Sequence, residues 1–316
     1  MSEASRRLAI ADVHTDPQRS LYLASWQRSG STWLAEIIAS APRTRLIYEP
    51  ANVRQQFFLK GEPRLVALPP SAPGDDLGDD GTMLERSMRG TLLSPWANQL
   101  NAARRPVRRV IKDVRTIPVL PWLVDRFQDT PVVLLLRHPV AIAHSLIELG
   151  WTLNAESLLD PELVERDPVL VAELRRQTIL QEVALWAEQH AWAMARLDSP
   201  RVHVVFYEEL RARPTDELNR LMAYLAPFHA TWQDWEPDPA SIARPSTTSY
   251  PSTGTERRQP QRRWTDLADD ALSDDVIRIL RARGLDQLYG AGPEPLVPGG
   301  DALACVHPTP PDGPRA

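Results

Sequence analysis

Lysine is nearly missing from this chain of 316 residues: Lys60 and Lys112 are the only ones among 36 basic residues, and the rest are arginines. In so arginine-rich a chain a surviving lysine invites a reason. Cysteine occurs once, at Cys305, so no internal disulfide can form and a reducing, cytoplasmic setting is expected. No apolar run reaches the ~20 residues that a membrane-crossing helix requires. Residues 1–16 hold no apolar stretch suited to a signal peptide. The net charge is −5, so charge balance gives no support to a nucleic-acid partner. No group of His, Cys, Asp and Glu has metal-ligand spacing, so no metal is expected.

What is present reads as a globular α/β protein. Apolar residues make up 43% and charged residues 24%, which are ordinary values for a packed domain. Short apolar runs at 21–25, 45–48, 109–112, 131–136 and 202–206 alternate with helical patterns at 32–40, 118–126, 140–149, 169–197 and 214–225. The run Pro131 to Leu136 is continuously apolar, as in a strand buried on both faces. Alternating strands and helices imply right-handed crossovers and a parallel sheet covered by helices on both sides. The expectation is one three-layer α/β domain over 19–290, P-loop-like in its nucleotide site, after a flexible stretch at 1–18. Residues 60–82 are rich in Pro, Gly and Asp and open a substrate-side insertion over 60–105. Residues 291–316 hold seven prolines and few large apolar residues, so a disordered tail is expected there.

In parallel sheets ligands bind at the carboxyl ends of the strands, and each notable motif follows a strand. The first is Trp26-Gln27-Arg28-Ser29-Gly30-Ser31-Thr32-Trp33. A strand, a tight turn and a helix start form an anion cradle, with unpaired N–H groups and the positive helix end facing the ligand. Gly30 permits close backbone approach, Ser31 and Thr32 add hydroxyls, and Arg28 adds charge. This is not the loop of ordinary ATPases and GTPases, which needs a second glycine and a lysine. On its own the turn would serve equally as a helix cap.

A second motif is Leu134-Leu135-Leu136-Arg137-His138-Pro139, with Ser145 eight positions after the arginine. Arg137 at a strand end offers a forked donor to a phosphate, and Pro139 starts a helix whose first N–H groups lie close by. Together the two motifs resemble the sulfotransferases that use 3′-phosphoadenosine 5′-phosphosulfate (PAPS), in the form found in bacterial and carbohydrate-type members. The resemblance covers about 20–290, more weakly over 52–105 and 150–200. It implies that Arg28, Ser29, Gly30, Ser31 and Thr32 hold the 5′-phosphosulfate, that Trp33 stacks on the adenine, and that Arg137 and Ser145 hold the 3′-phosphate. Arg28 through Trp33 and Arg137 with Ser145 would thus grip opposite ends of one nucleotide. Tyr207, in Phe206-Tyr207-Glu208-Glu209-Leu210, matches an adenine contact of that family. Arg257 and Arg258 lie where the family carries a basic loop over the cofactor.

Sulfuryl transfer needs a base for the acceptor hydroxyl, a cation near the bridging oxygen of the leaving phosphate, and in-line positioning. Histidine, the base in many members, is absent between Asp16 and Arg137. Carbohydrate-type members instead place a Glu after the second strand, which matches Tyr48-Glu49-Pro50. Glu49 is therefore the expected base and Asp113 the reserve. Lys112 is the expected electrophile, because a compact ammonium on a flexible stem can follow a moving charge. The implied acceptor is a hydroxyl of a carbohydrate, glycolipid or natural product, chosen by loops 52–105 and 150–168. Trp96 is a minority option for stacking on a sugar. Two other readings stand beside this one: a P-loop nucleotide or adenylylsulfate kinase, and a non-catalytic protein that binds the nucleotide.

Overall fold

The structure is a computed structural model that describes residues 12, 14–52, 67–152, 161–197, 200–247 and 270–306. In chain order its elements are β1 (Ser20–Ser25), α1 (Ser31–Ala39), β2 (Thr44–Tyr48), α2 (Gly78–Met88), β3 (Arg108–Asp113), α3 (Leu120–Arg126), β4 (Val132–Leu136), α4 (Pro139–Glu148), α5 (Pro161–Arg166), α6 (Pro168–Met194), β5 (Val202–Phe206), α7 (Tyr207–Ala212), α8 (Pro214–Leu225), α9 (Ala230–Gln233) and α10 (Asp270–Arg281). They divide into two units: Met1–Leu136 with Leu197–Tyr250, and Arg137–Arg196 with Pro251–Ala316. Among the described residues no helix is long and apolar enough to cross a membrane.

The first unit is built on a five-stranded sheet in the order β2-β3-β1-β4-β5, and every pairing is parallel. Every residue of β4 is fully buried, which explains its unbroken apolar run. Leu21 and Leu23 of β1 join Leu34, Ile37 and Ile38 of α1 and Leu221 of α8 in one apolar cluster. Because all strands point the same way, their carboxyl ends form a single rim. The loop after β1, the Glu49 turn after β2, the end of β3 and the start of α7 all lie on it.

The edge strand β2 is not left bare. Ala97 and Asn101 take its free N–H groups: the Ala97 carbonyl accepts from Tyr48 (2.8 Å) and the Asn101 side chain from Leu46 (3.3 Å). Such cover removes an edge open to stray pairing. At the amino ends of the strands Arg45 and Arg109, neighbours in register, each lie 3.1 Å from the Asp12 carboxylate. Arg45 also donates to the carbonyls of Gly90 (2.7 Å) and Leu92 (2.8 Å). The segment after α2 is thereby fastened along β2, with Trp96 at the rim.

In the second unit α6 packs against α4 and α10. Asp167 caps α6, its carboxylate accepting the Leu170 N–H at 3.0 Å. The structure differs from the sequence expectation after residue 290. Tyr289 bridges Pro295, Leu296 donates to the Leu288 carbonyl at 2.9 Å, and residues Gly299–Asp301 form a 3-10 turn. Leu288, Tyr289, Ala302 and Val306 are buried. Scattered apolar residues among the prolines are enough to fasten this stretch through Val306, which composition alone hid. Residues 307–316 of the expected tail lie outside the described residues.

Tyr224 of α8 links the starts of β4 and β5. Its hydroxyl donates to the Arg201 carbonyl (2.6 Å) and accepts the Val132 N–H (3.0 Å), and burial raises its pKa. Tyr224→Phe removes the side-chain acceptor of the Val132 N–H and a donor to the Arg201 carbonyl, and should lower the unfolding free energy by about 1–3 kcal/mol. Urea denaturation of both proteins checks this.

Candidate active site

The loop after β1 is shaped by two left-handed residues. Arg28 has φ +62° and Gly30 φ +86°. Turns of this kind aim successive N–H groups into one concavity, which attracts anions. Gly30 is also the N-cap of α1 and has no capping side chain, so the first N–H groups of that helix have no side-chain acceptor there. A Cβ at residue 30 would come within 2.5 Å of the Tyr207 ring; conformation and space both demand glycine. The Ser25 and Ser29 hydroxyls are buried and make no hydrogen bond to any described residue. Buried hydroxyls are normally paired, so two such groups flanking an anion-binding turn fit a ligand with several acceptor oxygens. Tyr207 stands over the loop, its ring edge-on to Trp33 at 6.3 Å. The loop and Tyr207 are thus brought together, while Arg257 and Arg258 lie outside the described residues.

The second group lies two strands away. Glu49, immediately after β2, has φ +43°, a costly conformation for a residue with a side chain. Its backbone explains how the turn is held. The Glu49 N–H donates to the Lys112 carbonyl (2.7 Å), its carbonyl accepts from Asn52 N–H (3.0 Å), and the Trp96 indole N–H donates to that same carbonyl (3.2 Å). The carboxylate is aimed at β3. Oε1 accepts a hydrogen bond from the Lys112 ammonium, and Oε2 lies 3.3 Å from the Asn52 amide nitrogen. Lys112 Nζ also sits over the Tyr48 ring, 4.8 Å from its centroid. Glu49 and Lys112 are both buried. β3 separates β2 from β1, so Lys112 is carried by the strand between the one that leads into the Glu49 turn and the one that leads into the loop at 28–32.

Asp113 occupies the same rim but faces inward. It is fully buried, and its two oxygens accept the N–H groups of Ala51 and Arg115, each at 2.8 Å. Burial and the neighbouring Glu49 charge push its pKa up to about 6. With both oxygens committed to backbone, Asp113 holds the Glu49 turn against β3 and is poorly placed to take a substrate proton. Arg115 is buried as well; burial lowers its pKa while Asp113, Glu49 and Tyr48 draw on its charge. Sequence reasoning passed over Asn52 and Arg115. For Arg115 a signal was present in Asp-Val-Arg at the end of β3, since Asx side chains bond backbone two residues on.

In the second unit, Arg137 directly follows Leu136, the last residue of β4. His138 caps α4, its Nδ1 accepting the Val140 N–H at 3.3 Å, and Ser145 lies on the second turn of that helix. His144 Nδ1 is 3.3 Å from Glu148; burial, outweighing that carboxylate, lowers its pKa, and Arg175 and Arg137 lower it further. Among the described residues no three or more His, Cys, Asp or Glu side chains gather as a metal site.

The sequence pattern of the Sulfotransferase family matches residues 21–229. Several solved structures are similar in fold. A sulfotransferase from Alicyclobacillus acidocaldarius is 14% identical, with 84% of this chain and 92% of that one covered and a TM-score of 0.44. A mouse sulfotransferase complexed with PAP is 17% identical, with 76% and 66% covered and a TM-score of 0.37. The sulfotransferase domain of the Synechococcus PCC 7002 olefin synthase is 16% identical, with 85% and 95% covered and a TM-score of 0.37. No curated protein matches the chain.

The raised pKa of Asp113 carries a signed consequence. The native state holds this proton more tightly than the unfolded chain, whose value is near 3.8. The stabilisation that the proton provides is complete below about pH 4 and is lost as pH rises through about 6. Asp113→Asn cannot ionise. Urea denaturation between roughly pH 4 and pH 7 should show a downward contribution to stability with rising pH in the wild type that is missing in the variant. Parallel curves for the two proteins would show that Asp113 does not titrate there.

Proposed function

Since the chain belongs to the sulfotransferase family and is a sulfotransferase, we propose that it moves the sulfuryl group of PAPS to a hydroxyl of a carbohydrate, glycolipid or other small-molecule acceptor. The observation that carries this reading is the contact between Lys112 and Glu49 on the same sheet rim as the left-handed turn after β1. In this reading Glu49 serves the acceptor oxygen and Lys112 the leaving oxygen, between which the sulfur moves.

The residues of the first unit divide the work. The N–H groups of the turn at 28–32, the Ser29, Ser31 and Thr32 hydroxyls and the Arg28 charge hold the 5′-phosphosulfate, and Gly30 lets the backbone approach it. Trp33 and Tyr207 supply ring surface for the adenine. Glu49 takes the proton of the acceptor hydroxyl as that oxygen bonds to sulfur. The bond from sulfur to the 5′-phosphate oxygen breaks, and Lys112 stabilises the charge left on that oxygen. The products are a sulfate ester and adenosine 3′,5′-bisphosphate. In the second unit Arg137 and Ser145 are the proposed ligands of the 3′-phosphate, with a forked guanidinium suited to it. The basic residues Arg257 and Arg258 remain proposed further contacts. This division needs no metal ion.

The half-exposed Trp96 supports the acceptor side of the reading. Its indole is anchored to the Glu49 carbonyl and its ring lies 5.6 Å from that of Tyr48, so an aromatic face stands next to the base, as carbohydrate and other ring acceptors require.

Glu49→Gln keeps an oxygen for the Lys112 ammonium but removes the base. With PAPS and a panel of hydroxyl acceptors screened by mass spectrometry, turnover should fall ~10²-fold or more, while calorimetric affinity for adenosine 3′,5′-bisphosphate stays within a factor of about three. Undiminished turnover would remove Glu49 from the chemistry.

A further inference from the structure

His138, between Arg137 and Pro139, is 1% exposed and is engaged by Val140, Gly290 and Tyr289. We infer that His138 is a positioning residue, one that fixes Arg137 by tying the start of α4 to the segment around Tyr289 and Gly290. The inference rests on the reading of Arg137 as a 3′-phosphate ligand.

The geometry lies wholly within the second unit. Nδ1 of His138 accepts the Val140 N–H (3.3 Å), which makes Nε2 the protonated nitrogen. Nε2 in turn donates to the Gly290 carbonyl at 3.4 Å. The imidazole meets the Tyr289 ring edge-on at 4.9 Å. Tyr289 is fully buried and stands 6.1 Å from Trp186 of α6. Trp186 stacks on His190 at 4.1 Å, and the Nδ1 of His190 lies 2.7 Å from the Trp186 carbonyl. A chain of rings therefore runs from the middle of the longest helix to the neighbour of Arg137. Burial, helped by the Arg137 charge and opposed by the Gly290 contact, holds the His138 pKa down to about 3, so the ring stays neutral near pH 7.

Arg137 itself lies between β4 and α4, in neither element. A guanidinium recognises phosphate through a planar fork, and small errors in placement cost heavily. The residue on its carboxyl side, clamped at both ring nitrogens, removes that freedom. Bulk stability does not require a histidine for this: Asn is at least as good a helix cap. What Asn lacks is the reach to Gly290 and the ring for Tyr289.

His138→Asn separates the two roles. It keeps the α4 cap and cuts the link to Tyr289 and Gly290. Calorimetry should show adenosine 3′,5′-bisphosphate binding weakened about ten-fold or more and AMP binding unchanged, so that the preference for the 3′-phosphorylated nucleotide collapses. Tyr289→Leu approaches the same link from its other side and should do likewise. His138→Gln, whose amide can still donate to the Gly290 carbonyl, should recover part of the preference. Equal weakening of both nucleotides with a lowered melting temperature would mean a merely structural histidine and overturns the proposal. A preference kept in His138→Asn but lost in Arg137→Ala also overturns it, while leaving the 3′-phosphate reading standing. A wild type that binds both nucleotides alike would remove that reading, and the proposal with it.

Discussion

A buried ion pair sets the terms for this protein. Lys112 and Glu49 lie in contact with little water around them, and neither charge would be tolerable alone. Removing one partner of such a pair costs about 3–5 kcal/mol, because the other is left buried and uncompensated. The fold accepts that liability on the rim where the loop at 28–32 also lies. Around it the chain spends further restraint: the left-handed backbone at Glu49, the Trp96 indole on its carbonyl, and the inward-facing Asp113 on the N–H of Ala51. So much restraint on one turn is hard to explain by stability alone, since each strained residue costs of order 1–3 kcal/mol. It is intelligible if a carboxylate must be held at a fixed distance from a cation and a cation at a fixed distance from an anion.

The parallel sheet provides those distances. Strand order β2-β3-β1 puts the Glu49 turn, Lys112 and the loop at 28–32 on successive strands along the rim. Lys112 sits on the middle strand of the three, and the proposed mechanism uses that place: the ammonium serves the carboxylate before reaction and the leaving oxygen during it. An arginine there would fill the space with a rigid plane already suited to Glu49. That gives the rarity of lysine in this chain a physical sense at residue 112. The amino ends of the same strands are used differently. There the Arg45–Asp12–Arg109 cluster ties the chain to its own carbonyls, an arrangement of structural consequence with no open face for chemistry.

Much of the scaffold could be read in the sequence because it is local. The run Val202–Phe206 and the helix Pro214–Leu225 have the same bounds in sequence pattern and structure, since an apolar run in one and a proline start in the other fix them. The loop from Arg28 to Trp33 was legible for a similar reason: a strand, one glycine and a helix start leave little choice of geometry. Contacts that depend on strand register were not legible. That Glu49 meets Lys112, separated by 63 positions, follows only once β2 lies beside β3. Asp113 looked like an alternative base because its type and place fit; only the two backbone N–H groups on its oxygens show it facing inward. The folding of residues 291–306 was hidden because a few buried side chains outweigh a proline-rich average. The contact of His138 with Gly290 was hidden because the two residues are 152 positions apart.

The most direct measurement is a crystal structure of the chain grown with adenosine 3′,5′-bisphosphate. The account predicts the 5′-phosphate in the turn at 28–32, the Ser29 hydroxyl bonded to it, and the Lys112 ammonium drawn from Glu49 toward the phosphate. A nucleotide phosphate bound away from that turn, with Lys112 still held against Glu49, would contradict it.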